Sequence, residues 1–341
     1  MSQYFGLDFG SAQLKAVQSD AQNAKSFTIA HLGSTPNVAG SLDFGDAQVT
    51  GKLAGAVKQL LSEAKIHEKR VVVSVPESQV FSRIVPMPVM SEAELSSAIT
   101  WEAEQFVPIP IADVEFDYSI VSQPPKGTTD KKMLVYLVAA PKTYLQALVD
   151  FLLSVGLDPI AVESEMVAVS RSISFSPLPG ASLIVHMGAL STDLAIIENG
   201  TLTFSYVSNV GGVALTRALS QALSLPLPQA EEYKRTYGLD EQQLEGKVRG
   251  GLLLTLGTVM SEIQKAVEYY ATTNKTRIAR IILSGGGVYL PALSTHLSGA
   301  LPGMEVVVAN PFAAAKFDKG IVAPRDSALY TVAVGLSIRV F

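Results

Sequence analysis

Cysteine is absent from all 341 residues, which excludes disulfides and thiolate metal sites and fits a reducing compartment. The four histidines, His31, His67, His186 and His296, are scattered without metal-ligand spacing. No apolar run reaches the roughly 18 residues of a membrane-spanning helix, so none is expected. The first residues carry no basic segment ahead of an apolar one, so no signal peptide is expected either. Any membrane association would then come through a partner, and the expected location is cytoplasmic. Charge is sparse too: 17% of residues are charged and the formal net charge is −5, which leaves no electrostatic case for nucleic acid. The motifs G-x-S-x-G, H-E-x-x-H and G-x-x-x-x-G-K-[ST] are all missing.

What remains is a chain that is 48% hydrophobic and suits about two domains. Tyr4 to Leu7 reads as a buried strand, Asp8-Phe9-Gly10-Ser11 as a turn, Leu14 to Gln18 as the returning strand and Phe27 to Leu32 as a third. Gly51 to Ala64 has helical spacing, and valine-rich Val71 to Val75 reads as a central strand. The rhythm then changes. Val80 to Val85 is strand-like, and Ser91 and Glu94 form a capping box before a helix with Leu95, Ala98, Ile99 and Phe106 on one face. Strands at Phe116 to Val121 and Met133 to Ala140 flank a polar loop, Pro124 to Lys132, expected to be mobile, and Tyr144 to Val155 is a further helix. This order predicts an inserted α+β subdomain, dividing the chain into 1–77, 78–160 and 161–341. Trp101, the only tryptophan, lies on the capped helix, where a core position is the expected reading and an interface the alternative.

Residues 183–198 then repeat the plan of residues 4–18: an apolar strand, a glycine turn and a returning strand. Asn199-Gly200 predicts a hairpin into Leu202 to Val207, and helices follow at about Val213 to Leu223 and Gln242 to Tyr270. Two such turns facing each other would offer backbone N–H groups to an oligophosphate. In the first turn, beside Gly10, Asp8 would hold Mg²⁺, Ser11 would donate to phosphate and Lys15 would neutralise one. Gly188 sits in the second turn. Ser284 followed by Gly285, Gly286 and Gly287 ends a strand at Ile281 to Leu283, where a base and sugar would lie against bare backbone. Glu262 and Lys265, one helical turn apart, would reach a ribose or adenine edge, with an exposed salt bridge as the alternative. Ala328 to Val340 has helical spacing and is expected to close back on the fold.

Together, Gly6-Leu7-Asp8-Phe9-Gly10-Ser11, the second hairpin and Leu283-Ser284-Gly285-Gly286-Gly287 resemble the two phosphate motifs and the adenosine motif of the actin/Hsp70/sugar-kinase superfamily. Arg83-Ile84-Val85-Pro86-Met87-Pro88, Trp101-Glu102-Ala103-Glu104-Gln105 and Val107-Pro108-Ile109 resemble the insert of the PilM family of type IV pilus assembly proteins. The resemblance extends to Asn209-Val210-Gly211-Gly212 and Ala333-Val334-Gly335-Leu336. It implies an α/β, actin-like (RNase H-like) two-lobed fold that binds ATP with Mg²⁺ between its lobes. It also implies an assembly protein of a pilus inner-membrane complex that docks the N-terminal peptide of a PilN-like membrane protein, in a groove involving the insert. Secretion scaffolds of the GspL type, division scaffolds of the FtsA type and, less so, small-molecule kinases are the alternatives.

One departure stands out: His186 occupies the place of the family's usual Asp in the second phosphate motif. Imidazole is a poor Mg²⁺ ligand, so hydrolysis is expected to be weak or absent, leaving at most a weak ATPase. Glu163 and Glu165 are the carboxylates expected near the lobe junction that would partly replace Asp193 or Asp8 in ordering water.

Overall fold

Three β-sheets organise the chain in the computed structural model, which describes residues 3–23, 26–124, 132–174, 180–274 and 276–341. The first lobe begins with β1 (Phe5–Phe9), β2 (Gln13–Asn23), β3 (Ser26–Pro36), α1 (Ala47–Glu63) and β4 (Arg70–Val75). α1 starts four residues before the expected Gly51, because the Asp46 carboxylate caps the N–H groups of Gln48 and Val49.

The insert follows: β5 (Phe81–Pro88), α2 (Glu92–Phe106), β6 (Val114–Ser122) and β7 (Lys132–Pro141), with a sheet in the order β5-β7-β6. The Ser91–Glu94 capping box opens α2 as expected. The insert has its own core, in which Leu95 and Ile99 of α2 meet Val85, Met87, Met133, Val135 and Leu137. Trp101 is not in it. Its side chain is 64% exposed, because α2 buries only the face of Leu95, Ile99 and Ala103. The loop expected to be mobile falls, at 125–131, outside the described residues.

The chain returns through α3 (Lys142–Ser154), β8 (Asp158–Ser164) and α4 (Glu165–Ser174). Here the expected insert boundary needs correction. Leu148, Phe151 and Leu152 of α3 pack with Phe5, Leu7, Phe9, Leu53 and Leu60, and β8 pairs with β4. The insert therefore ends near Pro141, and residues 142–160 belong to the first lobe.

The second lobe contains β9 (Ala181–Met187), β10 (Thr192–Glu198), β11 (Thr201–Ser208), α5 (Gly212–Leu223), α6 (Leu227–Tyr237), α7 (Lys247–Asn274), β12 (Ile278–Ser284), α8 (Leu293–Ala300) and β13 (Glu305–Val308). Short β14 (Ala315–Phe317) pairs with β3 of the first lobe, and α9 (Thr331–Ser337) ends the described helices. The two large sheets repeat one plan. In the first, β3-β2-β1-β4-β8 runs antiparallel through β1 and then parallel; β11-β10-β9-β12-β13 does the same in the second. The repeat expected from two hairpins thus extends to whole sheets.

β1 and β9 are buried along their full length, as central strands covered on both faces are. Alternation sends Phe5, Leu7 and Phe9 towards α1 and α3, and so turns Gly6 and Asp8 to the opposite face. There α9 presses close enough that a Cβ at Gly6 would lie 2.5 Å from the Ala333 carbonyl oxygen. Gly335 serves the same crossing from the other side, since a Cβ there would meet Ala168 of α4.

Candidate functional site

The ends of the two hairpins correspond residue for residue. In the first, Phe9 pairs with Leu14 and Asp8 with Lys15; in the second, Met187 pairs with Thr192 and His186 with Asp193. Asp8 and His186 are therefore equivalent positions, and so are Lys15 and Asp193. Lys15 Nζ donates to Asp8 Oδ2 at 2.8 Å, with both side chains buried. Gly10 lets the turn close over this pair, since a Cβ there would stand 2.5 Å from the Gln13 carbonyl oxygen. Asn37 fixes the turn by donating its side-chain amide to Gly10 O at 3.2 Å and its backbone N–H to Ala12 O at 2.9 Å. Ser11 is half-buried at the tip.

The glycine motifs of the second lobe converge on its hairpin. Gly212 N–H donates to Gly188 O at 3.0 Å and Val213 N–H to Ala189 O at 2.8 Å, while Gly211 lies too close to Ala189 and Leu190 for any side chain. Gly285 has φ +81° and sits where a Cβ would be 2.6 Å from Met187 O; a Cβ at Gly287 would be 2.6 Å from Met187 Cβ. The glycine-only backbone thus wedges the end of β12 against the end of β9. Gly286 has only Leu329 Cδ2 close to where a Cβ would lie, at 3.0 Å.

Glu262 and Lys265, one helical turn apart on α7, pair with each other. They form an i,i+3 ion pair at 3.0 Å, in which the lysine side chain is 66% exposed and the glutamate side chain 19%. Their hydrogen bond and ion pair run to each other. A different pair with the same spacing is built into the site. Lys234 is buried and donates to Gly212 O at 2.8 Å, Thr216 Oγ1 at 2.8 Å and Glu231 Oε2 at 2.6 Å, and Thr216 also donates to Glu231. The sequence signal for these residues is Glu231 three before Lys234, followed by Gly238. That signal is faint, because α6 is too polar to stand out in the sequence as a packed helix.

His186 is neutral: burial pulls its pKa down to about 4. Its Nδ1 lies 2.9 Å from Ser284 Oγ, which lies 2.6 Å from Thr331 Oγ1, which donates to Ala328 O at 3.0 Å. Each hydroxyl has one hydrogen. With Thr331 giving its own to Ala328, Ser284 donates to Thr331 and His186 Nδ1–H to Ser284. The ring is thereby held as the Nδ1–H tautomer, with Nε2 an acceptor that has no partner among the described residues.

Carboxylates crowd the same space. Glu77, just past β4, is buried and accepts Met166 N–H at 2.9 Å; burial raises its pKa. Glu165, at the start of α4, is raised well above the carboxylate range by burial and then by Asp8, Asp193 and Glu77. Asp193 is pushed up to about 8, chiefly by burial and then by Glu77. Glu165 was expected at the junction and is there; Glu77 was not anticipated. Glu163, the other expected carboxylate, is instead committed to Arg171 at 2.5 and 2.7 Å and to Arg339 at 2.7 Å.

Asp8 Oδ1 and Asp193 Oδ1 are buried without a hydrogen-bond partner. Such hard oxygens suit Mg²⁺. Among the described residues no three acidic or histidine side chains form a metal-holding group, so a cation here would complete its shell with water and phosphate oxygens.

Comparison with known proteins adds to this picture. The family model for type IV pilus assembly protein PilM matches residues 6–341. A solved PilM-PilN type IV pilus biogenesis complex contains a chain 25% identical, with TM-score 0.85, covering 98% of this chain and 97% of that one. Ethanolamine utilization protein EutJ from Carboxydothermus hydrogenoformans (15% identical, TM-score 0.57, 98% and 88% covered) shares the fold, as does MreB5 of Spiroplasma citri bound to ADP (14%, 0.55, 97% and 94%). Cell division protein FtsA of Neisseria meningitidis serogroup B is 22% identical over 265 residues, 70% of this chain; the match spans 62% of that relative's length. No described helix is long and apolar enough to cross a membrane.

Proposed function

The chain belongs to the PilM family of type IV pilus assembly proteins, and we propose that it serves there as an actin-like nucleotide-binding scaffold. In this reading it holds ATP between its lobes and docks the cytoplasmic N-terminal peptide of a PilN-like membrane protein. The observation that carries it is the pairing of the two hairpin ends: Asp8 and Lys15 from the first lobe share a buried electrostatic environment with His186 and Asp193 from the second and with Glu165, which directly follows β8.

Backbone groups at Gly10, Ser11 and Gly188 would face the phosphates, and Gly285, Gly286 and Gly287 the nucleoside. Lys234 and Glu231 hold the Gly211–Gly212 turn in place. Asp8 and Asp193 would hold Mg²⁺, which supplies charge neutralisation for the phosphates. His186 contributes no charge, and its one free atom accepts, so it presents nothing attractive to a phosphate oxygen. The cleft is suited to retaining nucleotide more than to cleaving it.

For the peptide, a cavity of about 730 Å³ lies where β6 meets α3, lined by Glu115, Lys142, Leu145, Gln146, Val149 and Asp150. It joins insert and first lobe, so an extended peptide there would touch both. The test is fluorescence anisotropy of a labelled N-terminal peptide of the PilN-type protein from the same organism, titrated with this protein with and without Mg-ATP. Saturable binding is expected; absence of binding in both conditions would refute the docking function.

A further inference from the structure

We propose that His186 is a metal ligand: its Nε2, with Oδ1 of Asp193, takes a nitrogen-accepting divalent cation of the Mn²⁺ class in preference to Mg²⁺. The inference rests on the nucleotide-binding reading above, because phosphate oxygens supply the rest of the coordination shell. Three side chains at the hairpin ends share one pattern, in which one polar atom is tied and the other is open. Asp8 Oδ2 accepts from Lys15 at 2.8 Å, and its Oδ1 is buried without a partner. Asp193 Oδ2 accepts from Ser191 at 3.3 Å, and its Oδ1 is likewise buried and unpartnered. His186 Nδ1 is tied to Ser284 Oγ at 2.9 Å, which leaves Nε2 as a lone-pair acceptor. Metal-ligating side chains are oriented in this way, by a hydrogen bond at the atom that does not bind the ion.

The placing of the three favours one ion between them. His186 and Asp193 stand directly opposite each other across β9 and β10, so their side chains are neighbours on one face of the sheet. Asp8 and Lys15 both act electrostatically on the imidazole from the first lobe, which puts the ring on the cleft side of β9. Nε2, unlike the two Oδ1 atoms, is not sealed from solvent. Asp8 and Asp193 are only 2% and 1% exposed, and an unmade interaction at a buried carboxylate oxygen is costly until a cation or donor meets it.

The donors are not a complete cage. Among the described residues no three acidic or histidine side chains come together to hold a metal. Two protein donors suit a cation that arrives on phosphate oxygens and keeps some of its water. The single nitrogen then decides which ion is preferred. Mg²⁺ is a hard ion that takes oxygen, whereas affinity for nitrogen rises along the first-row divalent ions from Mn²⁺ onward. A mixed set of imidazole, carboxylate and phosphate therefore fits Mn²⁺ better than Mg²⁺, which would bind the same carboxylates more weakly. The tie to Ser284 uses Nδ1 alone and does not compete with this role.

The full chain tests this with Mn²⁺ as the probe. Pulsed electron paramagnetic resonance of the protein with Mn-ATP should show the Mn²⁺ spin coupled to a nitrogen. Protein carrying ¹⁵N-labelled histidine should show that coupling changed to ¹⁵N, which separates the imidazole from the adenine ring. Calorimetric titration at saturating metal should give an ATP affinity about tenfold or more higher with Mn²⁺ than with Mg²⁺. His186→Asn keeps a side-chain N–H at the same distance along the chain as Nδ1 and removes Nε2. It should lose the histidine coupling and bring the two affinities within about twofold. Should that variant fail to fold, the labelled wild type decides alone. A Mn-ATP complex without histidine coupling, equal affinities with the two ions, or a folded His186→Asn protein that keeps the preference would each overturn the proposal and leave nucleotide binding standing. Absence of nucleotide binding with either ion would overturn both.

Discussion

Replacing Asp193 with asparagine should flatten the dependence of stability on pH. The folded protein holds this carboxyl at a pKa of about 8 against an ordinary 3.8, chiefly because it is buried. A raised carboxyl pKa means the native state binds the proton more tightly than the unfolded chain. Its stabilising effect is complete below the ordinary value and is lost as pH rises through about 8. At about 1.4 kcal/mol per unit, the wild type should lose up to roughly 3–4 kcal/mol from this group between about pH 5 and pH 8. For a chain of this length, unfolding entropy near 2 cal/mol/K per residue converts that to a fall of about 5 °C in melting temperature. The variant is neutral throughout, nearly isosteric, and should show little of that slope. The assay is differential scanning calorimetry in chelator-containing buffer at several pH values, on both proteins. Parallel pH profiles would refute the assignment of the proton to Asp193.

His186→Asp should lower the melting temperature of the nucleotide-free protein, by placing a second carboxylate opposite Asp193, and should enlarge the stabilisation produced by Mg-ATP; an unchanged ligand shift would remove His186 as the limiting feature. Gly285→Ala should cost about 2–3 kcal/mol, from the left-handed backbone and the clash with Met187 O, and weaken nucleotide binding; an unaltered melt would contradict the geometry. Glu163→Gln should cost about 2–4 kcal/mol in urea unfolding, since Arg171 and Arg339 both lose a charged partner, with no direct effect on nucleotide affinity.

Much of the fold was legible because its signals are local. Asn199-Gly200 turns at φ 51° and 81°, the Ser91–Glu94 box opens α2, and the two hairpins stand where their alternating apolar residues put them. Where the sequence misled, distant packing decided. Nothing in Tyr144 to Val155 tells whether its apolar face meets the insert or the first-lobe sheet, and Phe9 and Phe44 settle it for the latter. Trp101 looked like core on composition alone, yet the pattern Leu95, Ile99, Ala103 already fills the buried face of α2. In the site, glycines were readable because bare backbone is a chemical statement. Two ion pairs with identical spacing, Glu262–Lys265 and Glu231–Lys234, were not distinguishable until the fold left the Lys265 ammonium exposed and set Lys234 under Gly212.

His186 makes sense once the charges of the cleft are taken together. Among the described residues Lys15 is the one cation acting on Glu165, and it is already bound to Asp8. Glu77, Glu165 and Asp193 hold their protons more tightly than free carboxyls, so the nucleotide-free cleft carries more acid than it can ionise. A carboxylate at position 186 would add to that excess beside Asp193, whereas a neutral imidazole adds none. The ring is also tied through Ser284 to Thr331 at the start of α9, the helix that packs on β1, β2 and β4 of the other lobe. The residue at 186 therefore trades a phosphate-motif carboxylate for a hydrogen-bonded strut between the second hairpin and the interlobe helix. On the proposed nucleotide-binding reading, that exchange favours a cleft in which a nucleotide would fix the relation of the lobes over one that would turn it over.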